Sequence, residues 1–163
     1  MDGDSATSAA RSAPAAPAAP AAPAAPAGAA EGVSGADGAV ARVVATPAAL
    51  DLLARLGETH GALLFHQSGG CCDGSAPMCF PATDFLVGSA DVRLGEIGGV
   101  PFYMGAAQFA YWAHTQLIID IVQGNGGMFS VERPTGWRFI TRSRLFDAKE
   151  GAWLDLHPVE TVE

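Results

Sequence analysis

The stretch FHQSGGCCDGSAPMCFP, from Phe65 to Pro81, holds all three cysteines of the chain, one of its four histidines and Asp73. Glycines at 69, 70 and 74 let the backbone turn sharply, and Pro77 restricts it again. A strand ending in His66 and feeding such a loop would gather imidazole and thiolate around one ion. Zinc favours nitrogen and sulfur donors at tetrahedral corners, and iron accepts a similar set. The candidate ligands are therefore His66, Cys72 and Cys79, with Cys71, Asp73 or His114 as a further donor. Adjacent cysteines diverge on an extended chain, so Cys71 and Cys72 are not both assigned to one metal. No paired CxxC…CxxC spacing is present.

Thiol chemistry competes for the same residues. Only the thiolate is a strong nucleophile, and its pKa falls beside histidine, arginine or unsatisfied amides. Cys71 or Cys72 would attack an electrophile or a disulfide, Cys79 would resolve the adduct, and His66 would serve as base. A Cys72–Cys79 bridge would close only a short, turn-rich loop. The plainest alternative is that the cysteines are small buried side chains.

Other polar residues suit structural roles better. His114 follows Tyr111-Trp112 and is expected beside an aromatic core, with ligation as its lesser role. His60 is expected to cap the first helix or face water, and His157 to lie in a mobile C-terminal segment. Asp120 and Glu96 read as solvent-facing strand residues. Arg138, Arg142 and Arg144 alternate along one strand face, which reads as a solvated surface before an acidic-partner site. Phosphate-loop, dinucleotide, nucleophile-elbow and HExxH motifs are all missing, so no nucleotide cofactor is expected.

The elements that must position these groups occupy only part of the 163 residues. Residues 1–39 hold 17 alanines and five of the 11 prolines, with Ala-Ala-Pro recurring from Pro14 to Pro26. That segment predicts a disordered Ala/Pro-rich tail. Residues 40–148 are read as a single domain and 149–163 as a C-terminal extension. Thr46-Pro47 signals a helix start, and Leu50, Leu53 and Leu56 with Gly57 predict a helix over 47–56. Strands are expected at 62–66, 84–87, 92–97, 100–104, 115–122, 128–132 and 137–145, with a short helix at 106–113. Gly98-Gly99 and the RPTG segment at 133–136 mark hairpins. The fold class is α+β, mainly antiparallel sheet with one N-terminal helix and a short second one.

Charge narrows the partners. Nine Lys plus Arg against 17 Asp plus Glu gives a net charge of −8, and Lys149 is the one lysine. An acidic chain with no basic run is a poor match for nucleic acid or anionic lipid. The 23 residues from Ile97 to Ile119 carry no charged side chain, but glycines, Pro101 and polar residues break them into separate elements. With an acidic N-terminus and no apolar signal region, the chain is expected to be soluble and cytoplasmic.

The run FHQSGGCCDGSAPMCFP, followed by LGEIGGVPFYMGAAQFAYWAHTQLIIDIV and GGMFSVERPTGWRFITRSRLF, resembles a small bacterial family of unknown function, number seven-seven-nine, over roughly residues 41–148. Proteins of that family are often encoded beside NAD-dependent aldehyde dehydrogenases, so the resemblance implies an auxiliary role in aldehyde or alcohol oxidation. It brings no established active site. Three expectations follow: an accessory protein of aldehyde metabolism whose cysteine/histidine loop binds Zn or Fe; a thiol-dependent enzyme or redox protein; and a noncatalytic module offering the aromatic segment 102–112 to an aldehyde dehydrogenase.

Overall fold

The computed structural model describes residues 38–67 and 76–163. The tail expected at 1–39 lies almost wholly outside the described residues, as do Cys71, Cys72 and Asp73. Chain order is β1 (Val43–Ala45), α1 (Pro47–His60), β2 (Leu63–Gln67), β3 (Met78–Pro81), β4 (Asp91–Ile97), β5 (Val100–Gly105), α2 (Ala106–Trp112), β6 (Thr115–Gln123), β7 (Trp137–Leu145), α3 (Ala148–Leu156) and β8 (Glu160–Thr161).

The strands form two sheets, ordered β1-β6-β7 and β3-β2-β5-β4-β8. Both are mixed rather than mainly antiparallel. β1 runs parallel to β6, and β2 runs parallel to β5, while the remaining pairs are antiparallel. Parallel pairing needs a long crossover: the chain from α1 to α2 lies between β1 and β6, and the chain through β3 and β4 lies between β2 and β5. The sheets face each other across one apolar core. Phe65 of β2 meets Phe139 of β7 edge-on at 4.9 Å and stacks on Phe102 of β5 at 5.6 Å. Leu117 and Ile119 from β6, Met104 from β5 and the apolar stripe of α1 (Ala49, Leu52, Leu53, Leu56) complete it.

Helix α1 starts where expected. Thr46 accepts the Ala49 amide, and Pro47 occupies the first turn. It does not stop at Gly57, because that glycine takes part in the helix and the chain turns only at Gly61, φ 77°. The Gly98-Gly99 hairpin is present, with φ of 57° and 77°, joining β4 to β5.

Four expectations need correction. Residues 84–87 form no strand: Phe85 is held through its ring against Phe80, and Leu86 stands 95% exposed. Residues 128–132 form no strand either, and β7 pairs with β6 instead. There the Val131 amide donates to the Cys79 carbonyl and the Ser130 hydroxyl accepts from the Cys79 amide, so side chain and loop backbone dock on β3. His157 directly follows α3 (Ala148–Leu156) and precedes β8, which pairs with β4. His157 caps α3 and stacks on Trp153 at 3.8 Å instead of trailing free. Finally, Asp120 does more than face water: it accepts from Thr46 Oγ1 at 2.9 Å and Arg142 Nε at 2.9 Å. This ties the start of α1 to the small sheet.

Candidate functional site

Strand alternation decides which candidate residues can meet. β2 and β3 pair with Phe65 opposite Cys79 and His66 opposite Met78. Paired residues share a sheet face, and neighbours along a strand lie on opposite faces. Cys79 therefore points inward with Phe65, while His66 points outward with Met78. Of the sequence-based ligand set of His66, Cys72 and Cys79, His66 and Cys79 thus lie on opposite faces of the sheet, and Cys72 lies outside the described residues.

Cys79 is fully buried within the apolar core. Burial pushes its thiol up, and the nearby Glu132 carboxylate raises it further, so it stays protonated at neutral pH. It suits neither a resolving thiol nor a ligand. Its backbone is clasped by Ser130, whose hydroxyl also donates to the buried Glu132 carboxylate. On the same inner face, Gln67 accepts from Thr141 Oγ1 at 3.0 Å and so links β2 to β7.

The outward side of β2 carries the polar pair. His66 Nε2 lies 3.0 Å from Asp91 Oδ1, although β5 runs between their strands. The register explains how they meet. Asp91 sits opposite Gly105 of β5, where no side chain stands in the way. Asp91 Oδ2 also accepts the Gly88 amide at 2.9 Å. Burial opposes the charge on Asp91, but the bonds from His66 and Gly88 outweigh it and hold the carboxyl below the usual aspartate range. An ionised Asp91 can only accept, so Nε2 carries the proton and Nδ1 is the basic nitrogen of the neutral ring. The two side chains are 12% and 15% exposed, shielded enough for the pair to outlast an ordinary surface ion pair.

Beside this pair opens a cavity of about 630 Å³ walled by Met78, Phe80, Phe85 and Phe129, with Asp84 also lining it. The rings form a row: Phe80 stacks on Phe85 at 4.7 Å, and Phe85 leans on His66 at 4.7 Å. Phe129 comes from the loop between β6 and β7, and is 74% exposed. Neither Asp91 nor this aromatic row was visible as a site in the sequence. His114 is not brought to His66; it lines a separate cavity of about 400 Å³ with Arg42 and Phe109. Among the described residues no three His, Cys, Asp or Glu side chains gather as a metal cluster. In segment 102–112, Phe102 and Met104 are fully buried and Tyr111 is 84% exposed, so its aromatic character serves mainly the core.

A family model described as a domain of unknown function, DUF779, matches residues 52–145. The chain belongs to the DUF779 family. The matched residues run from within α1 to the last residue of β7, so they include the whole His66 pocket and leave out β1, α3 and β8. No curated protein and no solved structure matches the chain. Among the described residues of this DUF779 protein, no helix is long and apolar enough to cross a membrane.

Proposed function

We propose that this DUF779 protein is a cytoplasmic accessory protein of aldehyde metabolism that captures an aldehyde reversibly through the thiol of Cys71 or Cys72, with His66 of the His66–Asp91 pair as its base. The observation that supports the reading is an imidazole fixed by an ionised carboxylate at the edge of an apolar pocket, one residue before the chain enters the segment carrying Cys71 and Cys72. With Nε2 bonded to Asp91, Nδ1 is the atom that takes a thiol proton, and Asp91 stabilises the imidazolium that results. The thiolate of Cys71 or Cys72 adds to the carbonyl carbon, forming an S–C bond. The carbonyl π pair moves to oxygen, which takes the proton back from His66. The product is a hemithioacetal, with no change of oxidation state and no co-reactant. An aldehyde dehydrogenase would be the partner that draws on the captured aldehyde.

Iodoacetamide labelling followed by peptide mass spectrometry tests this. Benzaldehyde should slow labelling of the Cys71/Cys72 peptide several-fold in the wild type, and His66→Ala should delay the onset of that protection after the aldehyde is added. Labelling unchanged by the aldehyde, or protection that sets in equally fast in His66→Ala, would sink the proposal. A second reading has one observation in its favour, since a histidine oriented by a carboxylate is also how metal-ligating imidazoles are held. There His66 and one of Cys71 and Cys72 would hold Zn or Fe without Cys79. Stoichiometric metal in the purified wild type, lost in His66→Ala, would favour it over thiol capture.

A further inference from the structure

The cavity beside His66 has a selective lining. Among the described residues its walls are the side chains of Met78, Phe80, Phe85 and Phe129, its one carboxylate is Asp84, and no Arg or Lys lines it. The cations of the described residues are occupied elsewhere in several cases: Arg93 with Glu96 and Glu160, Arg142 with Asp120, and Arg144 with Glu150. A carboxylate or phosphate entering the cavity would leave water for an apolar wall and an unfavourable neighbour in Asp84. An uncharged ring or alkyl chain would lose nothing by the same move, and would gain contact with the Phe80–Phe85 row and with Phe129, whose ring is otherwise largely in water. A volume of about 630 Å³ falls in the range of small-molecule sites. His66 is the polar group beside the apolar walls, and its Nδ1 accepts a hydrogen bond from a hydroxyl.

We infer that the His66 cavity binds uncharged aryl or alkyl alcohols and aldehydes and rejects their anionic counterparts, with the aromatic row holding the body and, for an alcohol, His66 Nδ1 accepting from the hydroxyl. This rests on reading the cavity as the ligand site, and it holds whether or not a thiol reacts.

Benzyl alcohol is the probe, because it cannot form a thiol adduct. Two-dimensional NMR titration of the full chain should give saturable shifts centred on His66, Phe80, Phe85 and Phe129. 4-(Hydroxymethyl)benzoate should bind at least about tenfold more weakly, the scale of one like-charge neighbour at a partly shielded site. Asp84→Lys should narrow or reverse that preference, and Phe129→Ala should weaken benzyl alcohol several-fold. Both residues are exposed, so neither change threatens the core. Equal binding of the two probes, shifts centred elsewhere, or no saturable binding would overturn the inference. Benzyl alcohol binding without aldehyde protection of the thiols would overturn the capture reaction alone. Protection without discrimination between the probes would overturn the selectivity alone.

Discussion

Glu132 is 1% exposed, and its carboxylate takes hydrogen bonds from Ser130 Oγ and from the backbone amides of Glu132 and Phe139. Burial raises its pKa above the ordinary glutamate value, and those bonds offset only part of the shift. The folded state therefore binds the proton more tightly than the unfolded chain does. The associated stability is full below the ordinary glutamate pKa and falls as pH rises through the raised one. Urea unfolding of the wild type should show this decline as the pH rises above the ordinary glutamate range, and Glu132→Gln should flatten it. An identical pH slope in the two proteins would show that Glu132 titrates normally. Gly126 packs against this buried carboxylate so closely that a Cβ there would collide with Oε1, which favours glycine at this position. At this scale the sequence was only partly legible. His66 stood out by type and by its place before the cysteines, but its partner Asp91 is 25 residues away and becomes its neighbour only through strand order. The inward turn of Cys79 was not legible for a related reason. The loop between β2 and β3 has no turn signature that fixes a register, and a shift of one residue would have turned Cys79 to the outer face.

Helix α3 shows the reverse case, a signal present in the sequence but passed over. Asp147 and Glu150 form a capping box: Asp147 accepts the amides of Lys149 and Glu150 at 2.8 Å, and Glu150 accepts the Asp147 amide at 2.9 Å. Arg144 grips the same Glu150, and its bond, followed by the Asp147 amide, holds that carboxyl down to about 2. Asp147→Ala should cost about 1 kcal/mol in urea unfolding, the usual worth of an N-cap. A loss indistinguishable from zero would mean that α3 docks without its cap. The segment 128–132 misled in the other direction. Its apolar residues suggested a strand, yet Met128 and Phe129 are both largely exposed while Ser130 and Glu132 are buried. Polar residues satisfied by β3 and β7 determine its path, and no propensity scale registers that.

The two sheets share one core, so neither should melt alone. Phe139, 1% exposed on the small sheet, packs edge-on against Phe65 of the large one. Phe139→Ala should cost about 3–5 kcal/mol, and far-UV circular dichroism and tryptophan fluorescence should still report one coincident transition. Separate transitions would mean that the sheets are independent units. Most strands and α1 could be placed from apolar patterning, because each has a buried face, and α2 from Phe109 and Trp112, which pack half-buried against the core. The parallel pairings could not, since they depend on which distant strands become neighbours.

The parallel ladder between β1 and β6 joins Val43–Ala45 to Leu117–Ile119, and the bond from Thr46 to Asp120 beside it closes 74 residues of chain. During synthesis the first strand must wait, unpaired, until the chain as far as β6 has left the ribosome. Assembly of the small sheet is thus a late event governed by ring-closure entropy, and refolding should be slow for a chain of this size.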